Sequence, residues 1–226
     1  MMNFTVRPIG DSDRAWALNV IRGWGADFIV SRGRKIYAAE LPGFIAESSR
    51  AADVADSGRQ TSRSTPGGTR GTSAADEDVC RPQERASEQT SGRPGGLPAT
   101  EKTGGATEKT GEAPENLKLG LVTYEIIGDQ CEVVTLDAFT QFAGVGTALM
   151  ERVIDTARAS GCRRVWLITT NDNLDAIRFY QKRGFTIGAV HVNAIAHSRT
   201  LKPSIAMIGN YGIPIRDEIE FEMVLR

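Results

Sequence analysis

Val133-Val134-Thr135-Leu136-Asp137-Ala138-Phe139-Thr140-Gln141-Phe142-Ala143-Gly144-Val145-Gly146-Thr147 begins as a strand-like run, Val133 to Leu136, passes two glycines, and opens an amphipathic helix. Glycines at 144 and 146 let the backbone approach an anion closely. The first-turn amides of the following helix have no intrahelical partners and carry the positive end of its dipole. Strand, glycine turn and helix in that order predict a phosphate cradle, and the ligand such a cradle suits is a pyrophosphate.

The helix after the glycines places Leu149, Met150, Val153, Ile154 and Ala157 on one face and Glu151, Arg152, Asp155 and Arg158 on the other, and Gly161 stops it. Val165 to Thr169 reads as a buried strand. Asn171-Asp172-Asn173 then offers N-cap chemistry to a second helix, Leu174 to Arg183, with Arg178, Lys182 and Arg183 near its C-terminal end and Gly184 closing it. Phe185 to His191 and Glu218 to Leu225 read as further strands. Between them, 192–217 reads as a long loop containing Pro203, Gly209, Gly212 and Pro214.

Upstream, Phe4 to Pro8 is a short strand, and a helix is expected from Ser12, its N-cap, to about Trp24. Gly43 to Glu47 and Leu119 to Ile127 pair as a hairpin, and Cys131 to Ala138 follows the turn Ile127-Gly128-Asp129-Gln130 in antiparallel order. An insertion occupies the tip of that hairpin. From Ser48 to Asn116 there is no aromatic residue, no Ile and no Met, and Glu101-Lys102-Thr103-Gly104 recurs as Glu108-Lys109-Thr110-Gly111. Such a segment cannot bury enough apolar surface to offset its ordering entropy, so disorder is expected over 48–116. One domain spans 1–226, with its core in 1–47 and 117–226.

Charge and composition narrow the function. The 27 Lys plus Arg nearly balance the 28 Asp plus Glu, so no net field favours nucleic acid or an anionic membrane surface. No apolar run approaches the ~20 residues of a membrane span, and Met1 to Pro8 lacks the regions of a secretory signal, so a cytoplasmic protein is expected. Cys80, Cys131 and Cys162 have no metal-ligand spacing and read as plain thiols. On the glycines alone, three further readings stand beside the pyrophosphate cradle. A dinucleotide fold needs a third glycine where this chain has Leu149, and a P-loop needs a lysine where Thr147 follows Gly146 directly. A plain turn packing a helix on a strand remains open.

The neighbouring residues resemble the GCN5-related N-acetyltransferase (GNAT) family. Gln141-x-x-Gly144-x-Gly146 is similar to its acyl-CoA pyrophosphate motif, Gln/Arg-x-x-Gly-x-Gly/Ala. Asn173, Ala176, Phe179-Tyr180 and Arg183-Gly184-Phe185 are similar to its second element, an Asn near a helix start and a Tyr about seven residues on, ending in Gly-Phe. The likeness covers nearly all of the chain outside 48–116. It implies an α/β (α+β) acyl-CoA N-acyltransferase fold: a central, mostly antiparallel sheet of six to seven strands, flanked by helices, with its fourth and fifth strands splayed. It also implies acetyl-CoA as acyl donor and transfer of acetyl to a primary amine by direct attack through a tetrahedral intermediate, with no metal. A catalytically inactive acyl-CoA-binding sensor or scaffold is the alternative.

Carried onto this sequence, the resemblance implies that the backbone of Gln141, Phe142, Ala143, Gly144, Val145, Gly146 and Thr147 holds the pyrophosphate. Val134 and Leu136 would pair with the pantetheine amides like a sheet edge, a bulge would splay that strand from Val165 to Leu167, and Asn173 would line the pantetheine arm. Tyr180 would protonate the departing thiolate or orient the sulfur. Alternation places Glu132 on the face of Val134 and Leu136, where it is the candidate base, with Glu125 second; His191 and His197 read as structural. Lys202 and Arg216 suit an anionic group of the acceptor, and Asp217 or Glu218 an amine. Trp24-Gly25 would form the other wall. The expected partner is a small-molecule or peptide amine, and exposed sheet edges permit a homodimer. Excising 48–116 is expected to leave acetyl-CoA affinity and melting temperature nearly unchanged; calorimetry and thermal denaturation of the shortened chain check this, and a large loss of either makes the insertion structural.

Overall fold

The computed structural model describes residues 3–48, 116–140 and 143–226. Along them run β1 (Phe4–Pro8), α1 (Arg14–Arg22), β2 (Ile29–Ser31), β3 (Arg34–Ile36), β4 (Gly43–Ser48), β5 (Leu117–Ile127), β6 (Gln130–Ala138), α2 (Val145–Ala159), β7 (Arg164–Thr170), α3 (Leu174–Lys182), β8 (Thr186–His191), α4 (Ala194–Leu201) and β9 (Glu218–Val224). Seven strands form one sheet in the order β1-β4-β5-β6-β7-β9-β8. Every junction is antiparallel except β6 with β7, which is parallel. A parallel junction needs a crossover, and α2 supplies it.

The periodicity of α2 fixes how it lies. Leu149, Met150, Val153, Ile154 and Ala157 are all buried, packed with Leu119, Val122, Val133 and Leu136 of the sheet and with Phe179 and Tyr180 of α3. On the opposite face, Ala17 and Ile21 of α1 meet Ile45 and Leu121. Cutting Leu149 or Phe179 back to alanine at such sites costs ~2–5 kcal/mol. The sheet therefore has an α2/α3 face and an α1 face.

The expected hairpin forms, with β4 and β5 paired as far as Ser48 opposite Leu117. The insertion thus leaves and re-enters a closed strand pair. Of the disorder expected over 48–116, residues 49–115 lie outside the described residues, while Ser48 is buried as the last residue of β4.

Three elements differ from the sequence reading. The first helix starts at Arg14, not after a Ser12 cap: residues Asp11–Asp13 form a 3-10 turn, and the Asp13 carboxylate accepts the Gly10 N–H at 2.9 Å. Asp13 is itself held by Arg7 and Lys118, which keep it well below the usual carboxylate range, Arg7 contributing most. Second, β2 and β3 form a small ribbon, turning at Arg32 and Gly33, both with positive φ, as a two-residue hairpin demands. Third, the stretch read as a long loop contains α4. Asn193 enters it in the left-handed region and donates its N–H to Asp217 Oδ1 at 2.8 Å, while Ile195 and Ser198 turn inward. The ribbon and α4 both cover the α1 face: the His197 ring lies against Gly33, and Ser198 donates to Glu218.

Candidate active site

β6 and β7 pair from Gln130 opposite Arg164 to Val133 opposite Leu167, and no further. The cause is on the other edge of β6. Opposite β5, the register steps from Thr123–Thr135 to Tyr124–Val133, so Val134 is an extra residue, a bulge. Beyond it, Val134 to Ala138 stay with β5 while Ile168 to Thr170 stay with β9, and a gap opens in the sheet. The gap begins after Leu167 rather than from Val165, as expected from the sequence, because Val165 and Leu167 still pair with Cys131 and Val133.

The bulge also overturns the expected alternation. Val134 packs toward the α1 cluster, and Leu136 joins the α2/α3 core. Glu132 therefore does not share a face with Leu136. It lies on the α1 face under the ribbon, 2% exposed, where Ser31 Oγ donates to it at 2.5 Å and Arg34 at 2.8 Å. Burial raises its pKa against the pull of those two donors. Glu125 shares Arg34 at 3.4 Å, and His191 is within 3.2 Å of Glu220.

Sequence reading missed a second carboxyl on this strand. Asp137, past the bulge on one lip of the gap, is 3% exposed, and its Oδ2 has no hydrogen-bond partner. Burial alone pushes its pKa up to about 7. The signal available was an acidic residue inside a strand; what makes it unusual, its burial opposite Leu121, is tertiary.

At the mouth of the gap stands the glycine turn. Gly144 caps α2 with φ 75°, a left-handed conformation that only glycine takes without strain. The first intrahelical bond is Ala148 N–H to Gly144 C=O at 3.0 Å, so the amides before it lie outside the helical ladder. A Cβ on Gly146 would stand 3.3 Å from the Phe179 ring, so this glycine lets α2 seat against α3. Gln141 and Phe142 lie outside the described residues. Arg183 was expected only to complement the end of its own helix. Instead it stacks 3.5 Å from the Phe179 ring centroid, bonds the Phe179 carbonyl at 3.0 Å, and donates to Thr147 Oγ1. A cation therefore sits beside the positive end of α2, and the donor set of backbone amides and guanidinium fits a pyrophosphate.

Asn173 caps α3 as expected, its Oδ1 accepting the Ala176 N–H at 3.2 Å. The Tyr180 ring is buried among Phe179, Phe185 and Phe221, at centroid distances of 5.3, 5.9 and 5.8 Å. Phe221 is the register partner of Leu167, so Tyr180 packs at the level where β6 and β7 make their last pair. On the other face, the triplet 171–173 ties down 209–217. Asn171 takes the N–H groups of Arg216 and Asp217 and donates to Pro214, and Asp172 takes Asn210 twice. Ser204 Oγ donates to the Gly25 carbonyl at 3.1 Å, which ties that segment to the loop after α1.

A parallel strand pair parted beyond a bulge, with a left-handed glycine opening the crossover helix at its mouth, defines an acyl-CoA N-acyltransferase fold. The chain belongs to the acetyltransferase (GNAT) family, whose sequence model matches residues 119–185, and it is an acyltransferase of that family. It is 48% identical over 107 residues to YdhI, an uncharacterized protein of Bacillus subtilis (strain 168), covering 47% of this chain and 67% of that one. YxbD, uncharacterized and from the same organism, is 42% identical over 105 residues, covering 46% and 66%. The match thus spans about two thirds of each relative. Among solved structures, a GNAT family acetyltransferase from Elizabethkingia anophelis with acetyl-CoA bound is similar at 23% identity and a TM-score of 0.44, covering 49% of this chain and 71% of that one. A Bacillus subtilis acetyltransferase in complex with CoA is similar at 23% identity and a TM-score of 0.43, covering 51% and 74%. Among the described residues no helix is long and apolar enough to cross a membrane.

Two measurements follow from this geometry. R183Q is expected to weaken CoA binding about tenfold or more, as loss of a charge-assisted hydrogen bond does, and to flatten its dependence on salt, both read by calorimetric titration. For Asp137 the folded pKa, about 7, lies above the ordinary carboxyl value of 3.8, so its contribution to stability is full below about 4 and is lost as pH rises to about 7. The melting temperature of D137N minus that of the unaltered chain should therefore widen across that window and level off above it. A constant difference would remove the shift.

Proposed function

We propose that the protein transfers the acetyl group of acetyl-CoA to a primary amine. The observation that carries this reading is the gap between β6 and β7, opened by the Val134 bulge directly ahead of the glycine turn. Backbone amides of 143–147 and the Arg183 guanidinium would hold the pyrophosphate, with Gln141 and Phe142 beginning the loop. The backbone of Val134 and Leu136, beyond the last β6–β7 register pair, would meet the pantetheine amides, and Asn173 would flank the arm while capping α3.

Bound acetyl-CoA supplies an acetyl thioester as the electrophile. The acceptor must arrive as a neutral amine, and a carboxyl poised near neutrality is suited to draw its proton. Asp137 stands on the lip of the gap with an unpartnered oxygen, whereas Glu132 is engaged by Ser31 and Arg34. We therefore assign the proton to Asp137 and keep Glu132 as the second candidate. The Tyr180 hydroxyl donates at the departing sulfur as the carbon–sulfur bond breaks and the carbon–nitrogen bond forms. The aromatic packing around Tyr180 fixes the ring.

Acetyl-CoA added to the purified protein with pooled amines should release free thiol. Binding without transfer would favour the sensor or scaffold reading, and failure to bind would sink both. Y180F should keep acetyl-CoA affinity and lose about tenfold or more in turnover, the usual range for a proton-transfer residue; unchanged turnover removes Tyr180 from the reaction. In the unaltered chain kcat/KM should rise as pH passes about 7, where the raised pKa of Asp137 lies. D137N should abolish that limb, and if E132Q abolishes it instead, Glu132 is the proton acceptor.

A further inference from the structure

Helix α1 has two flanks, and only one of them meets the end of β6. Trp16 sets its ring edge-on to Phe139, the residue after β6, at a centroid distance of 6.0 Å. Leu18 lies two residues on, about 200° around the helix axis, and Arg14 lies one turn before it. That second flank faces the 3-10 turn Ala38–Glu40, where Arg14 Nη1 donates to the Ala39 and Leu41 carbonyls at 2.8 and 2.6 Å. Between helix and turn opens a cleft of about 520 Å³, with Arg14, Leu18, Asp27, Tyr37, Ala39 and Glu40 in its lining. Its volume is that of a small-molecule site.

The lining combines an apolar wall, a held aromatic ring and unpaired negative charge. Ala39 is packed with Ala17 and Ile21, and Leu18 lies against the same cluster, so this wall belongs to the core. Tyr37 stands edge-on to Phe28, 6.2 Å between centroids, yet it is 52% exposed. A ring held in place and left half open to water gains from a ligand that covers it. The Asp27 and Glu40 carboxylates make no hydrogen bond or ion pair with the described residues. Lys35 does not serve them, since its ammonium stands 4.7 Å from the Phe28 ring centroid. Two carboxylates and one guanidinium leave the cleft with one net negative charge, and the guanidinium is tied to backbone carbonyls. Exposed carboxylates alone are ordinary; two of them around a concave, half-apolar cleft with a held ring select a ligand by charge and by shape.

We propose that this cleft binds an organic monocation with a ring-sized apolar body, at a site separate from the gap between β6 and β7. The ammonium is drawn by Asp27 and Glu40 and brings the cleft to neutrality. The body lies on Leu18 and Ala39, and Tyr37 covers it. A neutral ligand of the same shape forgoes the charge, and an anionic one meets two carboxylates.

The test uses the full chain and four probes: phenethylamine, 2-phenylethanol, phenylacetate and methylamine, followed by calorimetric titration and by ligand-observed saturation-transfer NMR. Phenethylamine should bind about tenfold or more tighter than the alcohol or the carboxylate, the range of a charged hydrogen bond, and tighter than methylamine by a similar factor, from burial of the ring. D27N/E40Q should weaken phenethylamine about tenfold or more with the melting temperature unchanged, since both side chains are exposed and unpaired. Y37A should narrow the difference between phenethylamine and methylamine. D137N, on the lip of the gap, should leave phenethylamine binding as it is. Absence of phenethylamine binding, equal binding of phenylacetate, or an affinity that D27N/E40Q leaves intact overturns the proposal. So does loss of binding in D137N alone, which would put the amine in the gap.

Discussion

One extra residue in one strand sets the rest of this structure. Val134 lengthens β6 against β5 by a single position, and β6 can then no longer keep pace with β7 beyond Val133 and Leu167. A parted sheet leaves backbone N–H and C=O groups without a strand partner, a state that costs free energy unless something pairs them. A ligand with amide groups of its own is the natural partner. The same extra residue reverses side-chain direction, sending Val134 toward α1 and Leu136 into the core under α2 and α3. It also places Asp137 among apolar groups, where its carboxyl is held near neutrality.

The two sides of the gap are kept in step by a short turn. Asn171, Asp172 and Asn173 follow β7 directly, and each has a different task. Asn173 caps α3, whose Phe179 seats the glycine turn of α2. Asn171 and Asp172 hold the 209–217 segment of the opposite wall by its backbone amides. Gly209 admits this: a Cβ there would stand 2.0 Å from Asp172 Oδ2. The α2/α3 side and the 209–217 segment thus hang from one triplet.

Much of this was legible in the chain because the signals were local. The apolar face of α2, the Asn173 cap, and the hairpin interrupted by the insertion each depend on residues within a few positions of one another, and they lie where periodicity puts them. What escaped depends on contacts far apart in sequence. A run of β-formers such as Val133-Val134-Thr135 carries no mark of which residue will bulge, so strict alternation puts Leu136 on the face of Glu132 and Val134, whereas it lies in the α2/α3 core. Arg183 reaches Thr147 across 36 positions, and its own helix end offered a sufficient local reason for its charge. The short α4 is held by Asp217, just before β9, and by Glu218, its first residue, while the prolines and glycines after it spoke for a loop.

In the proposed function, the parted strands and the glycine turn together receive acyl-CoA. Amide hydrogen exchange of the full chain, with and without saturating acetyl-CoA, tests it most directly. Protection should appear at 134–138 and 143–147, while exchange in β1 and β4, toward the far edge of the sheet, should stay unchanged. Protection confined to other elements, or none at either stretch under saturating acetyl-CoA, would contradict it.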